Sequence, residues 1–353
     1  MTAGSPSSTS LFAPRSALLI TLEATRRDAL GAYGAAPSVT PHLDDLAEEA
    51  IRYEWARSVA PLSRPAHASI ATGLYPPRHG LRSERSQALA DRAVTVAERA
   101  RAAGFATAAF LGSRALDESS GLLQGFEHHG APPPGDPTFG DVPKRPAAEV
   151  VGEATAWLQE RPRERPFFLW VHCSDARRPR HGTDAPETAA YLEEVGAIDR
   201  ALGELFAVLA AEDLLEETFV AVAGAGGEAL GEHGELGAGL ELWDSTLRVP
   251  LLLRYHDGFG AGEASSEIVS VADLAPTLLE AMGLESRGSG DLDGTSLYYQ
   301  SVATDRGVYF ESYDGWERFG WSPLVGVADA RGKLGVLDEL DDESRPGHDA
   351  RHP

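Results

Sequence analysis

The segment Val59–Gly80, VAPLSRPAHASIATGLYPPRHG, decides how the rest of the chain is read. Ser63 is followed by Pro65, which tolerates a first helical turn because its missing N–H has no partner there anyway. Small residues continue through Ser69, and Gly73 supplies the stop. The spacing predicts a loop that delivers a hydroxyl to the start of a short helix. A hydroxyl at that end meets unpaired backbone N–H groups and the positive end of the helix dipole, a suitable place for a nucleophile that must face an anion.

Working outward, short apolar runs alternate with helical stretches. Ser16–Leu22 (SALLITL), Phe105–Leu111, Pro166–His172 (PFFLWVH), Thr218–Ala223 and Arg248–Leu253 read as buried strands. Helices are expected from Pro41 (capped by Thr40), over Arg92–Ala103, Ala147–Gln159 and Pro186–Ala211, and over Val269–Leu284. This alternation predicts an α/β fold, a doubly wound and mostly parallel sheet with helices on both faces. Gly307–Glu311 and Gly320–Leu334 suggest a small C-terminal antiparallel sheet, and Ala131–Asp141 a Pro/Gly-rich loop.

The nucleophile segment resembles that of the sulfatases, within the alkaline phosphatase superfamily. There a Cys or Ser matured to formylglycine, or an unmodified Thr or Ser, stands where Ser63 stands, with Pro at Pro65 and Arg or His at His67. The similarity runs from about Ala17 to Leu334 and includes Gly227-Glu228-Ala229-Leu230-Gly231-Glu232-His233-Gly234 and Asp293-Gly294-Thr295-Ser296-Leu297. It implies an ester hydrolase of sulfate or phosphate, with a divalent cation (Ca, Mg, Mn or Zn) at the carboxyl ends of the strands.

The metal positions depart from that pattern. The first strand of the family ends in Asp, and here Glu23 stands there, one methylene longer. The family pair Asp-His is Ala225-Gly226, and Ala238 replaces a frequent His. In Cys173-Ser174-Asp175-Ala176-Arg177-Arg178-Pro179, Asp175 and Pro179 keep the family frame F-x-D-P-H-x-P-Y, while Arg177 replaces the His and Arg180 the Tyr. Glu23 and Asp175 remain as metal candidates, too few for a hard cation or for zinc. Without metal a serine hydroxyl lacks activation at neutral pH, although His67, one turn on, is a candidate general base. The resulting expectation is a pseudoenzyme with no cofactor, keeping an anion pocket for sulfate or phosphate lined by Arg64, His67 and Arg177. The alternatives are an active hydrolase with Ser63 as nucleophile and a rewired metal set drawn from Glu23, Asp28, Asp175, Glu228 or His233, and a structural or partner-binding module.

Composition narrows the rest. A chain of 353 residues, 42% apolar, supports a large core, and a net charge of −23 argues against nucleic-acid or anionic-membrane partners. Cys173 is the sole cysteine, so no internal disulfide forms. No apolar run reaches the roughly 18 residues that a membrane span needs, and the opening residues lack the apolar core of a signal peptide. These features read as a cytoplasmic protein. The expected organisation is a disordered leader over 1–15, the α/β domain over 16–300, a small subdomain over 301–337 and a disordered acidic tail over 338–353.

Overall fold

The first strand, β1 (Ser16–Leu22), sets the layering, because its side chains alternate between two buried faces. Ala17 and Leu19 enter one apolar cluster, whereas Leu18, Ile20 and Leu22 enter another on the opposite side. The computed structural model describes residues 15–132, 145–177, 188–286 and 292–337. The expected leader, most of the Pro/Gly-rich loop, Arg178, Pro179 and Arg180, the start of the long helix at Pro186 and the acidic tail lie outside these residues.

In chain order, α1 (Pro41–Glu48) and β2 (Ile51–Arg57) lead to α2 (Ser63–Thr72) and the single turn α3 (Pro76–His79). Then come α4 (Val96–Ala102), β3 (Ala106–Leu111), the short β4 (His128–Gly130), α5 (Ala147–Glu160) and β5 (Phe167–Cys173). The long α6 (Thr188–Ala211) precedes β6 (Thr218–Gly224), the small hairpin of β7 (Ala229–Leu230) and β8 (Leu236–Gly237), and α7 (Asp244–Leu247). Two further strands, β9 (Leu251–Arg254) and β10 (Ala264–Ser270), are followed by α8 (Leu274–Ala281). The described residues end with β11 (Val308–Ser312), α9 (Asp314–Phe319), β12 (Leu324–Asp329) and β13 (Gly332–Leu337).

Among the described residues, eight strands form the main sheet in the order β10-β2-β9-β6-β1-β5-β3-β4. All neighbours run parallel except β9, which is antiparallel to both β2 and β6. Residues of α2, α4 and α8 share one cluster with the sheet, and those of α1, α5 and α6 share the other. This is the expected doubly wound α/β architecture, and β11-β12-β13 form the expected small antiparallel sheet. No helix among the described residues is long and apolar enough to cross a membrane.

Local boundaries differ from the sequence reading where capping decides them. The helix expected from Arg92 begins at Val96, because Thr95 and Glu98 form a reciprocal capping box. Val269 and Ser270 end β10 rather than opening a helix; Ser270 caps the 3₁₀ turn that leads into α8. Thr40 makes no capping bond to α1. That role falls to Asp199 of α6, whose carboxylate accepts the N–H groups of Leu43 (2.8 Å) and His42 (3.2 Å).

Candidate functional site

The carboxyl ends of β1 and β5 lie beside the start of α2, the edge at which ligands bind in open α/β sheets. Helix α2 starts at Ser63 and ends at Gly73, whose left-handed φ of 72° places its N–H 2.8 Å from the Ser69 carbonyl. The predicted delivery of a hydroxyl to a helix start is therefore what the chain does. Glu23 follows β1, tied by its N–H to the Cys173 carbonyl (2.9 Å), and Ala24 next to it adopts a left-handed φ of 55°. A non-glycine residue in that region costs about 1 kcal/mol or more, and the Ala24 carbonyl is held by the Tyr191 hydroxyl at 3.0 Å.

Ser63 is buried, and all of its polar groups are engaged. Its N–H donates to Glu84 Oε1 (2.7 Å), and its hydroxyl donates to Glu23 Oε1. The same hydroxyl oxygen accepts from Arg177 Nη1 at 2.5 Å, and that nitrogen also lies 3.3 Å from Glu23 Oε1. Arg177 Nη2 stands 3.8 Å from Glu84 Oε1. Burial opposes the guanidinium charge, but Glu23, Glu84, Glu228 and Asp314 outweigh it and hold Arg177 above its ordinary value. The centre is thus a serine hydroxyl clamped between a carboxylate and a permanently charged guanidinium.

The other candidates divide into those that join this centre and those that do not. The Arg64 guanidinium bonds the carbonyls of Ala115 (2.9 Å) and Ser86 (3.1 Å) and the Ser119 hydroxyl (3.3 Å), which anchors a neighbouring loop. The Asp175 carboxylate accepts the Ala147 N–H at 2.9 and 3.1 Å, at the start of α5. Asp28 and Glu232 both pair with Arg26, and His233 stacks on Trp243 with ring centres 3.9 Å apart. A small cavity of about 20 Å³, the size of one water, is lined by Glu23, Arg177, Gly226, Gly227, Glu228 and Ala238.

That cavity tests whether the cation of the family fits. At Gly226 an added Cβ would meet nothing closer than 3.8 Å, so room for a ligand side chain persists where none is present. Ala225 and Ala238 offer no donor either, and the Arg177 guanidinium lies within hydrogen-bond reach of the Ser63 and Glu23 oxygens that a cation would use. These residues do not fit a divalent cation at that position.

His67 faces the sheet instead of the Ser63 hydroxyl. Its Nδ1 donates to the Ser63 carbonyl (2.8 Å), and its Nε2 has no hydrogen-bond partner. Burial, opposed by Glu23, lowers its pKa, so the ring is neutral near pH 7. Beside it stands His172, ring centres 4.8 Å apart, a residue that the sequence reading placed only as the end of a strand. The signal was the period of β5: Phe168, Trp170 and His172 alternate onto the α2 face, so a titratable ring closes an otherwise apolar stripe. Glu23, His67 and His172 each present one atom within 4.8 Å of the others, a set capable of holding a divalent cation.

Fold and site together define an α/β domain of the alkaline phosphatase class. The chain belongs to the sulfatase family, whose model, described as Sulfatase, matches residues 15–284. It is similar to mouse (Mus musculus) steryl-sulfatase, 25% identical, with 76% of this chain and 62% of that protein covered. It is also similar to human (Homo sapiens) N-acetylgalactosamine-6-sulfatase, 24% identical, with 84% of this chain and 68% of that protein covered. The chain thus spans about two thirds of the length of these relatives. Among solved structures, the phosphonate monoester hydrolase of Agrobacterium radiobacter superposes with a TM-score of 0.76 at 20% identity, over 92% of this chain and 87% of that one. That likeness concerns the fold.

Proposed function

We propose that this chain is a sulfatase-fold pseudoenzyme, in which a tethered guanidinium replaces the catalytic cation and the nucleophile position is held silent. The observation that carries this reading is the bond from Arg177 to both Ser63 Oγ and Glu23 Oε1. A guanidinium carries charge but offers no open coordination position, so it can neither generate an alkoxide nor orient an ester oxygen as a metal does. Arg177 and the adjacent helix start are the remaining elements for an oxyanion. Glu23, Glu84 and Glu228 around them oppose its entry, so sulfate or phosphate binds weakly and displaces Arg177 from Glu23.

One observation favours a second reading. The Ser63 hydroxyl donates to Glu23, which is the nucleophile–base pairing that a metal-free ester hydrolase would use, with Arg177 as clamp. One assay separates the two: turnover of aryl sulfate, phosphate and phosphonate monoesters by wild type and by Ser63→Ala, with Ca, Mg, Mn and Zn each supplied. Equal background rates support the pseudoenzyme. Turnover abolished by Ser63→Ala overturns it in favour of hydrolysis. Thermal melts with millimolar sulfate and phosphate read the anion pocket separately: an unchanged melting temperature removes it.

A further inference from the structure

Three buried polar atoms without hydrogen-bond partners belong to residues that each present a ligand atom within 4.8 Å of the others. They are Glu23 Oε2, His67 Nε2 and His172 Nε2. The three residues are 7%, 1% and 0% exposed, so bulk water does not satisfy these atoms. Leaving one such group unpaired is costly, and three on neighbouring residues call for a shared occupant. The Glu23 carboxylate separates this cluster from the Ser63 centre. Its Oε1 receives Ser63 and Arg177, whereas Oε2 faces His172 Nε2 at 3.9 Å.

The surroundings are those of a metal site's outer shell. A metal-ligating histidine donates its other ring N–H to a carbonyl or similar acceptor, which fixes the tautomer and aims the lone pair. His67 Nδ1 donates to the Ser63 carbonyl at 2.8 Å, so its Nε2 carries the lone pair. His172 Nδ1 lies 2.9 Å from Thr21 Oγ1, which is itself fixed by the Trp170 Nε1–H at 2.9 Å. With the proton on Nδ1 and Thr21 as acceptor, His172 Nε2 is likewise a ligand atom. Glu23 is oriented through Oε1 by Ser63 and Arg177. The register that pairs Thr21 with His172 across β1 and β5 builds half of the site into the sheet.

We propose that Glu23, His67 and His172 form a zinc-type site with two imidazole nitrogens and one carboxylate oxygen, distinct from the cation position that Arg177 fills. The donor set selects zinc over calcium or magnesium, which take oxygen ligands. Tetrahedral zinc with bonds near 2.0–2.1 Å places ligands about 3.4 Å apart, so binding draws atoms now up to 4.8 Å apart inward by as much as about 1.4 Å. A water completes the fourth position. The ion lies behind Glu23, so its role is to fix that carboxylate and the start of α2. This inference stands apart from the pseudoenzyme reading, because zinc binding is read without turnover.

The test uses the full chain, stripped with chelator and titrated with zinc by calorimetry, with metal content measured after dialysis. Cobalt(II) gives a second readout. The expected results are one zinc per chain, a raised melting temperature, and the intense visible bands of low-coordinate cobalt in a nitrogen–oxygen site. Either His67→Gln or His172→Gln lowers zinc affinity by more than about 100-fold, since loss of an outer-shell partner alone reaches that scale. Zinc binding that survives both substitutions places the metal on other histidines and overturns the proposal. Should the variants fail to fold, the wild-type cobalt spectrum decides alone: weak octahedral bands, or no binding at millimolar metal, mean that a buried water fills the site.

Discussion

Replacing Arg177 with methionine removes the guanidinium and keeps most of the apolar stem. The buried Glu23 carboxylate then loses its guanidinium partner, Glu84 loses a cation 3.8 Å away, and the Ser63 oxygen loses the bond at 2.5 Å. Breaking a buried charge pair by removing one partner costs about 3–5 kcal/mol, largely the penalty of the charge left behind. For a domain of this size about 2 °C of melting temperature corresponds to each kcal/mol, so Arg177→Met melts about 6–10 °C lower. Glu23→Gln is destabilising for the mirror reason, whereas the double variant leaves no uncompensated partner in that pair. The cycle, measured by urea denaturation with chelator present so that metal cannot contribute, should return a coupling of about 1.5–3 kcal/mol. Additive effects, or an Arg177→Met cost below about 1 kcal/mol, would show that the guanidinium is solvated rather than standing in for a cation, and the argument for a silenced centre would fall.

Two neighbouring glycines should behave in opposite ways. Gly226→Ala is expected to change stability by no more than about 0.5 kcal/mol, since its Cβ enters open space, whereas Gly227→Ala would bring a Cβ to 2.0 Å from the Ser245 carbonyl and forces the backbone apart; paired melts check this. His79 should make stability fall in acid. Its Nδ1 accepts the Leu81 N–H at 3.1 Å, and burial pushes its pKa down to about 3. The unfolded chain takes up that proton near pH 6.5 and the folded chain only near 3, so this contribution is intact above pH 6.5 and lost as pH falls towards 3. Between pH 7 and pH 5 it amounts to about 2 kcal/mol, and denaturation of His79→Gln over that interval should show a correspondingly flatter profile.

The architecture was legible because it rests on local signals. Alternating β-branched runs, the Pro65–Gly73 frame of α2 and the Gly-rich return after β6 each specify their own backbone, and the layers follow from strand period. The site was legible only where one residue acts alone. Ser63 at a helix start can be read from the chain itself, and the missing donors at Ala225, Gly226 and Ala238 from its resemblance to the sulfatase pattern. The partners of Arg177 could not. Asp175 lies two residues away, yet Arg177 reaches Ser63 and Glu23, 114 and 154 residues distant in sequence, while Asp175 turns to Ala147 at the start of α5. Long-range side-chain choice depends on sheet register, which periodicity does not supply. His172 was missed for the same reason: its meaning comes from Thr21 opposite and His67 above, not from PFFLWVH.

Charge balance explains why a cation is needed at this centre. Glu23, Glu84, Glu228 and Asp314 all act on the same guanidinium, and Glu23 and Glu228 are buried. Carboxylates in such a place need a positive partner, or one of them must take up a proton. In a metal-dependent hydrolase that partner is exchangeable and keeps coordination positions for substrate. Arg177 is neither exchangeable nor open: it is covalently attached, it does not lose its proton in the working pH range, and its bonds to Ser63 and Glu23 engage the oxygens that would hold a cation. Restoring a ligand at Gly226 alone therefore does not make room for a metal there, because Arg177 still engages the Ser63 and Glu23 oxygens. The cation would have to displace the guanidinium first, which ties metal binding at that position to residue 177 before residue 226.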